Sequence, residues 1–170
     1  MSIKLYGAIL VVAGCGGCGF AMAAAKRREE RELRQLIRAL EYMECELQYH
    51  ETDLPQLCGM AAEVSGGGIG AFFQDLARRL ERNQEPDVSG CVEQLLGQYA
   101  NLSASVHGVL QSLGQSMGCF DLPGQLRGFQ STEKECRHLL DGLERDRDSR
   151  LRSYQTLGLC AGAALAIILL

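Results

Sequence analysis

The feature that most constrains this chain is an uncharged, apolar run near its amino terminus, residues 5–25. At ~1.5 Å of rise per residue, a helix of that length reaches ~31 Å, about the thickness of a bilayer's hydrocarbon core. A basic cluster lies directly after it and consists of Lys26, Arg27, Arg28, Arg31 and Arg34. Because basic residues next to a span are retained on the cytoplasmic side, the pattern predicts a membrane anchor whose carboxyl end faces the cytoplasm.

Two processing signals compete for the same residues. A cleaved secretory signal would use the small residues at 21–25, but the basic cluster lies on the wrong side of the apolar run and opposes translocation of the downstream chain. A lipobox at residues 12–15 would lipidate Cys15 and make the chain an extracytoplasmic lipoprotein scaffold. Its apolar region would be short, and the residues after Cys15 stay apolar where a polar tether is usual. Mass spectrometry of the mature amino terminus separates these alternatives from the anchor.

A third alternative rests on the glycine-rich stretch 14–19, which matches the G-x-G-x-x-G fingerprint of dinucleotide-binding folds. The match would make the chain a membrane-tethered enzyme. However, the segment where a second strand is required, residues 36–47, has helical periodicity, and no later run supplies a parallel sheet. Small residues in a membrane helix let a second helix approach closely, and this interpretation explains the glycines better.

The rest of the chain is dominated by apolar residues at helical spacing, which predicts an all-α fold class. The first helix is expected to continue from the anchor to near His50, with its charged residues forming a solvated face. Its apolar stripe consists of Leu33, Leu36, Ile37, Leu40, Met43 and Leu47. Four shorter helices are predicted at 54–64, 69–82, 89–102 and 106–117, and a long sixth helix from Gln125 onwards.

Capping residues and glycines predict where the shorter helices begin. Thr52 or Asp53 would cap the second helix, with Pro55 in its first turn. The glycine-rich segment 65–68 would form the turn after that helix. Ser89 or Asp87 would cap the fourth helix.

The chain closes on a second apolar segment, residues 154–170, which is at the lower limit of ~17 residues for a span. It is preceded by Arg145, Arg147, Arg150 and Arg152, so both basic clusters would face one compartment. The predicted architecture is a cytoplasmic antiparallel bundle of about six helices (26–153) between an N-terminal transmembrane anchor (1–25) and a C-terminal transmembrane segment (154–170). A tail folded into the soluble domain is the alternative for the last segment.

Each predicted span carries a stripe of small residues. The first stripe consists of Cys15, Gly19 and Ala23, and the second of Gly158, Gly162 and Ala166. Our hypothesis is that the two faces pack together and close a hairpin in the membrane. The alternative is that these residues only reflect the ordinary composition of membrane helices.

Composition and motifs argue against several functional classes. The net charge of −4 shows no nucleic-acid footprint. The eight cysteines are scattered, several of them on apolar helix faces, and are interpreted as reduced, small hydrophobic residues. Glu135 and His138 form one E-x-x-H pair, but a di-iron bundle needs two copies, so a surface pair is the better interpretation. The sequence predicts no catalytic site, cofactor or metal.

Two stretches and the amino terminus resemble the stage III sporulation protein AB family over essentially the whole chain. The stretches are LGQSMGCFDLPGQ (residues 113–125) and YQTLGLCAGAALAIILL (residues 154–170), and the amino-terminal span is followed by Lys-Arg-Arg. Met117, where leucine is expected, and the two cysteines of the first span depart from the family pattern. The resemblance implies a non-enzymatic role in endospore formation, within a channel complex between mother cell and forespore. The family is similar to the F-type platform proteins of type II secretion and type IV pilus machines.

The resemblance also implies partners and a location. The expected partners are a cytoplasmic secretion-type ATPase encoded beside the family and other stage III sporulation channel membrane proteins; a homo-oligomer is also compatible with the sequence. The location would be the mother-cell membrane facing the forespore. The candidate partner-binding residues are Arg78, Arg79 and Arg82 on the third helix, and Asp121 and Gln125 in the 117–125 segment. The alternative interpretation is a solvated helix face and an ordinary helix connection.

Overall fold

A computed structural model describes the backbone of residues 2–50, 52–82, 87–117 and 122–169. Side chains are described for residues 24–50, 52–82, 87–117 and 122–145. The helices are α1 (Ser2–Tyr49), α2 (Leu54–Ser65), α3 (Gly67–Glu81), α4 (Val88–Gln98), α5 (Ala104–Met117) and α6 (Leu122–Leu169). The predicted all-α class is confirmed, and no strand forms within the described part of the chain.

The first and last helices are far longer than the other four. Both α1 and α6 contain 48 residues, so each is ~72 Å long. This confirms that the first helix runs without a break to near residue 50, and the sixth helix continues to Leu169. Among the side chains described, no helix is long and apolar enough to cross a bilayer. The predicted spans at 5–25 and 154–170 lie, except for Ala24 and Ala25, outside those residues.

Polar contacts show that α1 and α6 pack antiparallel. Arg34 Nη2 lies 2.8 Å from Glu144 Oε1 near one end of the contact. Gln130 Nε2 donates to Glu44 Oε1 at 2.5 Å near the other, with an ion pair between Arg137 and Glu41 in between. Residue numbers therefore rise along α1 as they fall along α6. The amino-terminal part of α1 and the carboxyl-terminal part of α6 leave the bundle at the same end, which we call the proximal end.

The shorter helices continue the same alternation of direction. The rings of Phe72 in α3 and Tyr99 after α4 are 5.6 Å apart, and Arg79 Nη1 donates to Gln94 Oε1 at 3.1 Å. Gln111 Nε2 of α5 donates to Glu93 Oε1 of α4 at 3.1 Å. The helices thus run alternately away from and towards the proximal end. The carboxyl ends of α1, α3 and α5 lie at the opposite end, which we call the distal end.

The predicted apolar stripe of α1 lies at the centre of the core. All six of its residues are at most 7% exposed, and α1 contacts α2, α3, α5 and α6. Burial of each such side chain contributes about 1.5–3 kcal/mol relative to exposure. The largest fully buried side chains of the other helices include Phe72, Phe73, Phe129, Leu57, Leu95 and Leu110. The spacing of apolar residues therefore identified the inward face of α1 correctly.

The connection between α2 and α3 is shorter than the predicted 65–68 turn and consists of Gly66 alone. Its backbone has φ +65° and ψ −179°, a conformation available almost only to glycine. A Cβ on Gly70 would lie 2.7 Å from the carbonyl oxygen of Ala62. The glycines therefore allow α2 and α3 to fold back on each other at close range.

The fourth helix ends earlier than predicted, at Gln98 instead of residue 102. Tyr99 N donates to the carbonyls of Leu95 and Leu96, and Leu102 N donates to Tyr99 O at 2.9 Å, which closes a turn. Leu102 is nevertheless buried. Its apolar character therefore reflects burial in the core and not membership of the helix.

The predicted caps are partly confirmed. Asp87 Oδ1 accepts a hydrogen bond from Ser89 N at 3.1 Å at the start of α4. Hydrogen bonds from the Ser89 side chain and backbone lower the pKa of Asp87. Asp53 occupies the N-cap position of α2, with Pro55 in the first turn, but its side chain makes no capping bond.

Candidate interaction surfaces

The structure brings the three predicted arginines together at the distal end of α3. Arg78 and Arg79 lie in its last turn and Arg82 is the exposed C-cap residue. Arg78 Nη1 pairs with Asp75 Oδ1 at 3.3 Å, and its side chain remains 60% exposed. Cationic side chains at a helix carboxyl terminus are stabilised by the helix dipole. The group is therefore stable in the isolated bundle and accessible to a partner.

Asp75 connects this arginine group to the turn after α4. Its second oxygen, Oδ2, accepts a hydrogen bond from the Tyr99 hydroxyl at 2.8 Å. Burial, and then the hydrogen bond to Asp75, raise the pKa of Tyr99 to about 12. Tyr99 therefore stays protonated at neutral pH and remains a donor to Asp75. Through this carboxylate, Arg78 is linked to the α4–α5 turn.

The second predicted surface begins at the α5–α6 connection. Gln125 Nε2 donates to Met117 O at 3.5 Å, which joins the first turn of α6 to the last residue of α5. Asp121 lies outside the described residues. Gln125 and the arginine group share the distal end, but α3 and α6 do not contact each other within the described part of the chain. The structure therefore gives two separate surfaces at one end.

A cluster missed by sequence reasoning lies at the proximal end. Glu32 is only 5% exposed, so the interpretation of its charged run as a solvated face is wrong for this residue. Its Oε1 accepts from Arg28 Nε at 2.9 Å and its Oε2 accepts from Ser103 N at 2.9 Å. Glu29 Oε1 accepts from Ser105 Oγ at 2.5 Å. We call Glu29 and Glu32 the acid clasp.

The acid clasp provides hydrogen-bond acceptors and negative charge at the start of α5. The first N–H groups of a helix have no partner within the helix, and the helix amino terminus attracts negative charge. Ser103 and Ser105 flank the start of α5 at Ala104, so the two carboxylates of α1 approach that amino terminus. No local signal reveals this, because the partners are 71 and 76 residues apart in sequence.

Three of the four described cysteines behave as predicted for small hydrophobic residues. Cys58, Cys91 and Cys136 are buried, whereas Cys45 is exposed. Burial raises the pKa of the Cys58 and Cys136 thiols to about 12, so both remain protonated and poorly nucleophilic. The other four, Cys15, Cys18, Cys119 and Cys160, lie outside the residues whose side chains are described.

The remaining motifs are the E-x-x-H pair and the two small-residue stripes. Glu135 and His138 are both exposed on α6, as expected for surface residues. Among the described side chains, no three metal-ligating residues lie close enough to hold an ion. The two small-residue stripes fall outside the described side chains, so their packing stays a prediction. Their members are Cys15, Gly19, Ala23, Gly158, Gly162 and Ala166.

Comparisons with a family model, a curated sequence and a solved structure all match the same family. The family model described as "Stage III sporulation protein AB" matches residues 4–170. Stage III sporulation protein AB of Bacillus subtilis (strain 168) is 24% identical over 170 residues, which cover 99% of each chain. A solved structure of "Stage III sporulation protein AB (SpoIIIAB)" matches with a TM-score of 0.64 and 21% identity, covering 72% of this chain and 98% of that one. This structural likeness supports the helical fold.

Proposed function

The chain belongs to the stage III sporulation protein AB family, and we propose that it acts in endospore formation as a non-enzymatic membrane platform. In this role it couples a cytoplasmic secretion-type ATPase to the membrane proteins of the channel complex between mother cell and forespore. The relatives are named for a stage of sporulation and not for a reaction. The observation that carries the proposal is the antiparallel packing of two very long helices around one small bundle.

The arrangement of α1 and α6 supports attachment to one membrane at both ends. Both helices extend beyond the bundle at its proximal end, and the apolar segments 5–25 and 154–170 belong to these extensions. Two apolar segments that leave from the same end can enter the same bilayer. We propose that this is the mother-cell membrane facing the forespore, with the bundle in the cytoplasm.

The register of the bundle supports pairing of the two small-residue stripes. The ion pairs that join α1 to α6 fix which residues face each other. When this register is continued beyond the bundle, Gly19 lies opposite Gly158 or its neighbour. Cys15 lies opposite Gly162 or its neighbour. Ala23 and Ala166 continue the two stripes at the ends. We propose that these small residues allow close contact between the two spans.

Replacing Gly19 and Gly162 with leucine is expected to weaken this pairing severalfold, because bulky side chains would separate the two helix backbones. The measurement is a membrane reporter of association between the two spans expressed as separate segments. A matched control places leucine at Ala21 and Ala164, which helical spacing puts on the faces opposite the two stripes. An unchanged signal in the Gly19 and Gly162 variant would contradict the pairing.

The distal end is the proposed site of ATPase contact. It lies at the opposite end of the bundle from the proposed membrane and carries the arginine group of α3 and the first turn of α6. A force applied there would be transmitted along α1 and α6, because an uninterrupted helix joins the bundle to each apolar segment. The arginines would pair with carboxylates of the ATPase, while Asp121 and Gln125 would contribute to a second contact.

Charge reversal tests the ATPase contact. The variant Arg78→Glu/Arg79→Glu is expected to reduce co-purification of the secretion-type ATPase at least about tenfold, because like charges would face each other in the interface. The matched control, Arg38→Glu/Lys134→Glu, reverses two exposed charges on α1 and α6 that lie away from the distal end. If both variants retain the ATPase equally well, the arginine group is not the docking surface.

A further inference from the structure

In the charged run that follows the first apolar segment, the acidic and the basic side chains point in different directions. The side chains of Glu29, Glu30 and Glu32 are 17%, 20% and 7% exposed. Two of them form the acid clasp on the start of α5, and Glu30 pairs with Arg34 at 2.9 Å. The negative charges of this run are thus directed towards the protein.

The basic residues of the same run are directed towards solvent. Lys26 is 52% exposed, and its contact with Glu29 is long, at 3.7 Å. Arg27 and Arg31 are exposed, and no ion pair joins either of them to an acidic residue among the described side chains. Arg31 Nε instead donates to the backbone oxygen of Arg27 at 3.3 Å. We call Lys26, Arg27 and Arg31 the cationic collar.

We propose that the cationic collar binds the anionic phospholipid headgroups of the membrane that receives the apolar segments. The inference rests on the proposed membrane attachment and adds a lipid class to it. The collar begins one residue after the first apolar run, at the depth where headgroup phosphates would lie. Each basic residue near an anionic surface strengthens the interaction roughly fivefold. Contacts of the neighbouring carboxylates with the start of α5 and with Arg34 reduce the repulsion that they would otherwise exert.

The test uses the full chain in phosphatidylcholine bilayers that contain trace spin-labelled lipid. Electron paramagnetic resonance measures the association of labelled phosphatidylglycerol relative to labelled phosphatidylcholine. The unmodified chain is expected to prefer phosphatidylglycerol at least about fivefold at low salt, which is the effect of one basic residue. Salt should reduce this preference, since charges are screened over ~10 Å at 0.1 M ionic strength. Lys26→Gln/Arg27→Gln/Arg31→Gln should reduce the preference severalfold, and the arginines at 145–152, which precede the second apolar segment, would account for what remains.

A matched variant controls for net charge. Arg38→Gln/Arg127→Gln/Lys134→Gln removes three positive charges away from the collar and should keep the preference. An undiminished preference in the collar variant would overturn the proposal, as would equal association of both lipids with the unmodified chain. The absence of any protein-associated lipid would instead remove the proposed membrane attachment, so the two failures are distinguishable.

Discussion

Replacing Glu29 and Glu32 together with alanine is expected to lower the free energy of unfolding by about 3 kcal/mol. The change leaves the backbone N–H of Ser103 and the hydroxyl of Ser105 without their acceptors at the start of α5. It also removes the carboxylate that pairs with Arg28. The measurement is chemical unfolding of the full chain in detergent micelles, monitored by the helical circular dichroism signal.

A matched variant distinguishes the acid clasp from a general effect of lost negative charge. Glu30→Ala/Glu41→Ala also removes two carboxylates from α1, but both pair with arginines that are 53% exposed. Exposed ion pairs contribute little, so this variant should lose less than about 1 kcal/mol. Hydrogen exchange at the amide of Ser103 should accelerate only in the clasp variant. Equal losses of stability in the two variants would show that the clasp has no special role.

The acid clasp also bears on how movement could pass through the protein. It holds the proximal part of α1 to the α4–α5 turn, and Tyr99 in the same turn donates to Asp75. Asp75 in turn pairs with Arg78 in the proposed ATPase surface. Polar contacts thus join the arginine group to the point where α1 leaves the bundle. A force on the arginine group would therefore be transmitted to that point through these contacts as well as along the long helices.

The sequence predicted most of the fold because helical periodicity records which side of each helix is buried. The α1 stripe from Leu33 to Leu47 is buried as expected, and Asp87 caps α4. The prediction that the fourth helix reaches Leu102 is wrong, because an apolar residue is expected both on a buried helix face and in a buried turn. The single-residue connection at Gly66 was missed because three consecutive glycines gave no indication of which one carries the turn.

The interaction surfaces were less predictable, because they depend on contacts between helices. Sequence spacing placed the arginines together on α3, but it gave no sign that Asp75 joins them to Tyr99, 24 residues away. The prediction that Glu32 lies on a solvated face is wrong. It was made because a run of charged residues along a helix is typical of a solvated face. Its burial depends on the amino terminus of α5, which local sequence does not reveal.

Replacing Gly128 with alanine is expected to lower the free energy of unfolding by about 2 kcal/mol, although alanine favours helix over glycine by ~1 kcal/mol. The new Cβ would overlap Ser116 Cβ and lie 2.7 Å from Ser116 Oγ, where α6 crosses α5. Because the Cβ of Ser116 is fixed to its own backbone, the two helices would have to separate. The measurement is the same unfolding experiment on the full chain.

A compensating change at Ser116 isolates this contact from other effects. Ser116→Gly alone should cost about 1 kcal/mol, because glycine weakens α5. In the double variant the nearest Ser116 atom left to the new Cβ is Cα, at 3.5 Å, which is an ordinary contact. The helix preferences of the two substitutions then nearly cancel, so the double variant should approach the original stability, with a favourable coupling energy of about 3 kcal/mol.

Gly142 provides the control for helix preference, because it lies in the same helix and nothing is within 4 Å of a Cβ placed there. Gly142→Ala should therefore raise stability by up to ~1 kcal/mol. If Gly128→Ala is also stabilising, α5 and α6 are farther apart than the structure has them. If Ser116→Gly fails to restore stability in the double variant, the loss does not arise from this crossing. Only destabilisation at residue 128 that Ser116→Gly relieves supports a close α5–α6 contact at the start of the helix that leads to the carboxyl-terminal apolar segment.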